Sequence, residues 1–319
     1  MDPLLDLMRL LRPRAVLFGG GLDAFGDWGL AFRKRDDLLF CWIERGECEL
    51  IRPGCEPVRV RRGDFVLIYT STPFTLASDA SIAPVDSETA VAAARRVRLK
   101  LGSGVDRPVT LRAGKFLLEK ANEDLLAGLF PPVIHIAAGD ESLGPVRALL
   151  AMNEAEARKP GPASEFVIVR LVELVLVEIL RTSLSRVGAE WPGLLAGLAD
   201  KVTAKALAAM HRDVARDWTV DALARLCGVS RSTFAARFRT VVGTSPIDYL
   251  LQWRMALAKD ALSLGAKSVG EIAFSIGFQS SSAFTTAFTR AAGCSPTRFA
   301  RRMADASQSQ KQKTAAGQA

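Results

Sequence analysis

Apolar positions along this chain change their period twice. Between residues 15 and 85 they fall in short runs: Phe40-Cys41-Trp42-Ile43, Cys48-Glu49-Leu50-Ile51, Val58-Arg59-Val60 and Phe65-Val66-Leu67-Ile68-Tyr69. Turn residues separate them, at Arg45-Gly46, Pro53-Gly54, Arg62-Gly63-Asp64 and Thr72-Pro73. β-Branched and aromatic runs divided by such turns predict the short strands of a barrel or sandwich. Residues 86–115 mix Ala, Arg and Gly and show no period. Helical spacing takes over in Leu143–Ala157 and Ser164–Val187. The second segment is apolar on most sides, but Arg170, Glu173 and Glu178 inside it argue against a membrane span. Such a helix must be covered nearly all round. We expect it to pack on the strands and to pair with the same helix of a second copy, with burial inside one chain as the alternative.

The last third of the chain repeats itself. Thr219-Val220-Asp221-Ala222-Leu223-Ala224 aligns with Ser268-Val269-Gly270-Glu271-Ile272-Ala273 at an offset of 49. One extra residue near Gln279 makes the offset 50, and Ser230, Phe234 and Phe238 then meet Ser280, Phe284 and Phe288. Each unit closes on Gly-x-Ser-Pro, at Gly243–Pro246 and Gly293–Pro296. Repeats decide architecture before anything else does. Each unit reads as a helix, a turn at Gly228 or Gly277, a capping Ser230 or Ser280, and a second helix with two rings on its inner face. A plain helical bundle is the alternative, and two copies in register argue against it. Pro246 to about Leu264 reads as one helix ending at Gly265.

The 319 residues are enough for two domains, or three small ones. Charge separates the two ends. From Lys201 onward there are 17 Lys and Arg against 7 Asp and Glu, whereas the whole chain is only +8. The basic excess therefore lies entirely in the repeat, as a phosphate-binding surface requires.

At these residues the chain resembles the AraC/XylS family of bacterial transcriptional regulators. The carrying features are Trp218-Thr219-Val220, Ala224-x3-Gly228-x-Ser230-Arg231-Ser232-x-Phe234, Gly243-x-Ser245-Pro246 and Arg254-Met255. The second half adds Val269-x-Glu271-Ile272-Ala273, Ile276-Gly277-Phe278, Phe284-x3-Phe288 and Gly293-x-Ser295-Pro296. The resemblance implies a double helix-turn-helix domain over 200–302 that binds double-stranded promoter DNA in two adjacent major grooves. It places base contacts near Ser232, Ala235 and Ala236, within a surface of Ser230, Arg231, Ser232, Thr233, Ala235, Ala236, Arg237 and Arg239. Alanine there departs from the long polar residues of many relatives and can only touch a thymine methyl or pack passively. The arginines read as phosphate clamps or, equally, as solubilising charge. The second surface is Ser280, Ser281, Ser282, Thr285, Thr286 and Arg290. Its hydroxyls favour docking and shape readout over base discrimination. His211 reads as a surface residue or a cation at a helix C-terminus.

The sequence Gly63-Asp64-Phe65-Val66-Leu67 followed by Pro73, with the opening Asp2-Pro3-Leu4 and Leu10-Leu11-Arg12-Pro13-Arg14, resembles the cupin-like sensor domain of part of this family. The expected fold is therefore α+β. A cupin-like β-barrel or sandwich with accessory helices occupies 1–187, and a linker covers 188–199. An all-α domain of two helix-turn-helix units joined by a long helix fills 200–302, and a disordered tail covers 303–319. The resemblance implies a homodimer through the sensor domain, a small-molecule or stress effector, RNA polymerase as a partner, and activation as the commoner outcome. It implies no cofactor and no metal. Cys41, Trp42, Phe65 and Phe74 are candidate lining of an effector pocket inside the barrel.

Two other classes fare worse. A metal-dependent cupin enzyme needs several histidines, and the chain has two, His135 and His211, in different domains. Phe74 stands where related sensor domains often place one, and His135 in an apolar stretch reads as structural. An alkyl-transfer DNA-repair protein needs a zinc-bound cysteine cluster, and Cys41, Cys48 and Cys55 match no zinc spacing. If 39–43 and 47–51 form a hairpin, Cys41 and Cys48 approach each other, and a redox-sensing role is the alternative to ordinary buried thiols. No secretory signal is evident, so a reducing cytoplasm is expected. Gly19-Gly20-Gly21 lacks the following helix of a nucleotide-binding loop and reads as a turn.

Overall fold

The computed structural model describes residues 2–18, 21–35, 37–93, 98–119, 132–140, 144–186 and 193–305. They form two compact units. One comprises Pro13–Leu117 and Phe130–Ser183; the other comprises Met1–Arg12, Leu118–Leu129 and Leu184–Ala319.

The first unit is built on two sheets. One has the order β10 (Leu99–Gly102), β2 (Leu22–Phe25), β11 (Val109–Leu117), β4 (Leu38–Arg45), β7 (Phe65–Tyr69), β12 (Val133–Ile136), with β1 (Arg14–Leu17) also on β11. The other runs β6 (Val58–Arg61), β5 (Glu47–Ile51), β8 (Phe74–Ala77), β3 (Gly29–Phe32), β9 (Val85–Asp86). Residues of both sheets form one core, including Leu22, Trp28, Leu30, Ile43, Leu50, Val60, Val66, Ile68, Leu76 and Leu111. Side chains alternate across a strand, so Leu39, Cys41 and Ile43 enter this core while Phe40 and Trp42 face the other way. There Phe40 lies 4.9 Å from Phe116 and 6.1 Å from Phe65. Gly114 makes room for the Phe40 ring, since a Cβ on it would stand 2.5 Å from Phe40 Cζ. Residues 86–115, silent in sequence, supply α2 (Ser87–Ala93) and most of the central strand β11.

The two helices expected after the strands are present as α3 (Gly144–Arg158) and α4 (Ser164–Arg186). Helix α4 buries Ile168, Leu171, Val172, Val175, Leu176, Ile179 and Leu180. Its Glu173 accepts a hydrogen bond from the Ala15 N–H at 3.0 Å, anchoring it to β1. The hairpin expected from 39–43 and 47–51 is not a paired one. β4 bonds to β7 and β11, while β5 bonds to β6 and β8, so the chain changes sheet at Gly46. Gly46 has φ 77°, and a Cβ there would lie 2.3 Å from the Pro108 carbonyl oxygen. Of the glycine run, Gly19 and Gly20 fall outside the described residues, and Gly21 has the positive φ of a turn.

The second unit is helical, and it departs from the sequence segmentation at three places. Helix α1 (Pro3–Leu11) belongs to it rather than to the strand-rich unit. Half of the expected linker is α5 (Leu194–Ala199), which buries Leu194, Leu195 and Ala196; the Trp191-Pro192-Gly193 run masked the apolar residues just behind it. The expected tail begins late, because residues 296–305 are helical, and 306–319 lie outside the described residues. Helices α6 (Lys201–Arg212), α7 (Val220–Cys227), α8 (Arg231–Val242), α9 (Pro246–Leu264), α10 (Val269–Ser275) and α11 (Ser281–Ala292) complete it. The expected caps Ser230, Ser245 and Ser280 and the expected ends at Gly228 and Gly265 are present, whereas α10 closes on Ile276, one residue before the expected turn at Gly277. Thr219, Ser230, Ser245, Ser268 and Ser280 cap, and Gly228, Gly243, Gly265 and Gly293 terminate in the left-handed region.

Candidate nucleic-acid interface

Helix α8 exists where it does because Gly228 (φ 73°) turns the chain and Ser230 accepts from the Thr233 N–H. Phe234 and Phe238 are fully buried with their rings 5.7 Å apart, which fixes the helix rotation. Arg231, Ser232, Thr233, Ala236, Arg237 and Arg239 are then exposed, and Ala235 is half-buried. Helix α11 repeats the device. Ser280 accepts from the Ala283 N–H, Phe284 and Phe288 are buried 5.5 Å apart, and Ser281, Ser282, Thr286 and Arg290 are exposed.

Hydrogen bonds divide these surfaces into committed and free groups. Ser230 is spent on its cap and on Ser232 and Thr233, at 3.2 and 2.8 Å. Arg231 pairs with Asp221 at 3.1 Å. Arg237 grips Asp200 through two nitrogens, at 2.6 and 3.0 Å. Asp200 is also the cap of α6, accepting from the Val202 and Thr203 N–H groups. Burial works against its charge, yet Arg237 and those two N–H groups hold its carboxyl below the usual range. Arg237 therefore braces α8 on α6, and among the described residues Arg239 has no such partner. On α11 the Thr285 and Thr289 hydroxyls donate to the carbonyls one turn back, both at 2.7 Å. Ser281, Ser282, Thr286 and Arg290 remain open toward solvent.

The two helix-turn-helix units share one rod. Helix α9 has 19 residues, or about 28 Å. Its Arg254 donates to the Val214 and Arg216 carbonyls, at 3.0 and 2.9 Å, across the loop that follows α6. The turn of the second unit presses on the same loop. A Cβ on Gly277 (φ 87°) would lie 2.4 Å from the Ala215 oxygen and 2.6 Å from Arg254 Nη2. Arg254 and Gly277 thus tie the second unit to the first. The sequence pattern contained both residues, but the loop at 213–216 lies some forty positions from Arg254, a separation no local pattern reveals.

His211 overturns its surface reading. Its side chain is fully buried, its Nε2 lies 2.7 Å from the Tyr249 hydroxyl, and its ring stacks 4.0 Å from Trp253. Burial pushes its pKa down to about 4, so it is neutral rather than a capping cation. Its periodicity within α6 was the available signal, since Leu207 and Met210, four and one residues before it, are buried on the same side.

The four candidate pocket residues do not face one space. Cys41 and Phe74 lie in the core between the sheets, and Phe65 and Trp42 lie on the opposite face of the first sheet. Adjacent residues such as Cys41 and Trp42 cannot both point inward from one strand. Burial pushes the Cys41 thiol up to about 12 and raises Cys48 as well, which disfavours the reactive thiolate. His135 Nε2 lies 2.8 Å from Asp64, a buried carboxylate that also accepts from the Ala138 and Arg61 N–H groups. The Asp64 carboxylate is thereby satisfied. Among the described residues no cluster of His, Cys, Asp and Glu could hold a metal, and no helix is long and apolar enough to cross a membrane.

Two repeated helix-turn-helix units with exposed polar faces, in the basic part of the chain, are the geometry of a DNA-binding domain. The family described as Cupin matches residues 2–185, and that described as Helix-turn-helix domain matches 223–302. A putative AraC-like transcription regulator of Streptomyces lividans is 39% identical, over 93% of this chain and 97% of its own. The regulator AlkR of Acinetobacter baylyi is 26% identical, over 86% and 91%. Among solved structures, the DNA-binding domain of AdpA in complex with a target DNA is 31% identical, with 32% of this chain and 92% of that chain covered and a TM-score of 0.31. The chain belongs to the AraC family of transcriptional regulators, with a cupin domain ahead of its helix-turn-helix domain.

Proposed function

We propose that this regulator reads a bipartite promoter site, with α8 and α11 entering successive major grooves on one face of the duplex. The observation that carries the reading is the matched pair of exposed helix faces held by one rod. The rod length of about 28 Å approaches the roughly 34 Å between such grooves. Ser232, Ala235, Ala236 and Thr286 face the bases, with Arg239 and Arg290 on phosphates. Ser230, Arg231, Thr233, Arg237, Ser280 and Thr285 shape and brace the two helices, and Ser281 and Ser282 dock the second. Selection from a random duplex pool with the full chain, at a stated salt concentration, tests this. Two enriched blocks about ten base pairs apart support it; salt-sensitive binding without enrichment defeats it.

The strand-rich domain is the signal-receiving part in this reading, and a small-molecule effector bound there changes promoter occupancy in the cytoplasm, usually toward activation through RNA polymerase. The Trp28 and Trp42 indole N–H groups are buried and have no hydrogen-bond partner among the described residues, so each could donate to a polar ligand. Cys41 and Phe74 on one face, and Trp42 and Phe65 on the other, are the residues to watch by tryptophan fluorescence in a ligand screen. Helix α4 carries the dimer contact, supported by Phe166, Val167 and Leu174, which are 61%, 38% and 52% exposed.

A further inference from the structure

Helix α1 lies within the segment matched by the Cupin family, yet it is built into the helix-turn-helix unit. Its apolar stripe, Leu4, Leu7, Leu10 and Leu11, is buried, and the helix packs on α6 and α9. One ion pair holds its C-terminal end. Near the other end Asp6 lies 3.5 Å from His211 Nδ1, a neutral nitrogen with no hydrogen bond among the described residues, and His211 reaches Tyr249 on α9 through its other nitrogen. Arg12 pairs with Asp260, on the second half of α9, at 2.9 Å and with Glu119 at 3.6 Å. The Leu11 carbonyl accepts from the Glu119 N–H at 2.9 Å. Arg12 holds φ 40°, a left-handed conformation that a glycine would adopt more easily. Its side chain is what that position gains.

The direct polar contact of α1 with α9 is Arg12–Asp260, and Tyr249 is reached only through His211 of α6. Helix α9 separates the two recognition helices, so a helix seated along it acts as a splint. The contacts of α1 go to α6, to α9 and to Glu119. Only Arg12 and Pro13 separate α1 from β1, which ties the splint covalently to the sheet of the other unit.

We propose that α1 is a positioning element for DNA recognition: seated on α6 and α9, it fixes the rod, and simultaneous binding of both grooves depends on it. The proposal rests on the bipartite reading above. The test uses the full chain and two duplexes, a selected two-block site and the same site with one block scrambled. Arg12→Glu and Asp260→Arg should each weaken two-block binding on the order of fivefold, leave one-block binding within about twofold, and recover when combined. Arg12→Gln should act in the same direction more weakly, which keeps the test open where a reversal variant fails to fold. Unchanged two-block affinity overturns the proposal. So does an equal loss on both duplexes that the double reversal does not repair, because that is general destabilisation. Wild-type protein that binds both duplexes equally defeats the bipartite reading itself, and this proposal with it.

Discussion

Individual side chains on α8 look alike in sequence and differ in what they are free to do. Arg237 is committed to Asp200, whereas Arg239 projects into solvent without a partner among the described residues. Replacing Arg239 with Ala should weaken binding to all duplexes alike and lower the salt slope by about 1, as loss of one phosphate contact does. Arg237→Ala should instead lower the melting temperature of the helical unit. A titration across salt concentrations, set beside a thermal melt, separates the two. His211 gives a pH signature. Its folded pKa of about 4 lies below the ordinary value of 6.5, so the unfolded chain takes up the proton first. Stability should therefore fall as pH drops from about 6.5 toward 4, by about 3 kcal/mol in all. His211→Phe should flatten that slope in chemical denaturation measured at several pH values, and an unchanged slope would mean that His211 is not the group responsible.

Helices and turns follow rules that the sequence states openly. The caps at Ser230, Ser245, Ser268 and Ser280 and the terminating glycines could be read from residue type alone, and so could the inward rings. Truncating Phe238 or Phe288 to Ala should each cost about 3–5 kcal/mol, and the parallel size of the losses follows from their equivalent places in the two units. Gly277→Ala should cost more than Gly228→Ala. Both need a positive φ, but only at Gly277 would a Cβ meet backbone, the Ala215 oxygen at 2.4 Å. Denaturant midpoints of the two variants decide this. Strands were harder to place than helices. Cys48–Ile51 was legible as a strand, but its partner was not, because pairing is decided by register across the sheets and not by neighbours in the chain. The grouping of Cys41 with Trp42 in one pocket failed on a local rule instead, since alternation along β4 turns neighbours to opposite faces.

The whole chain divides more subtly than its composition does. The charge step at Lys201 and the repeat located the DNA-binding part, and the resemblance carried by Arg254 and Gly277 gave its family. The compact units differ from the segmentation read in the sequence at both ends, although the Cupin match over residues 2–185 follows it. Helix α1 contacts α6 and α9 some two hundred residues away, and α5 looked like linker because Gly and Pro precede it. Long-range packing of this kind leaves only a stripe of leucines in the sequence, which any amphipathic helix would show. Helix α4 carries an exposed apolar stripe that predicts self-association. Light scattering at micromolar concentration should report two chains, and Leu174→Asp should report one. A wild-type monomer would remove the dimer from the account.

The central claim is that one rod presents two reading helices to one face of DNA. Hydroxyl-radical footprinting of the full chain on a selected duplex tests it most directly. Two protected patches about ten base pairs apart on the same face are the predicted result. A single patch, unaltered when the second block is scrambled, would contradict it and leave α11 as a structural partner of α8.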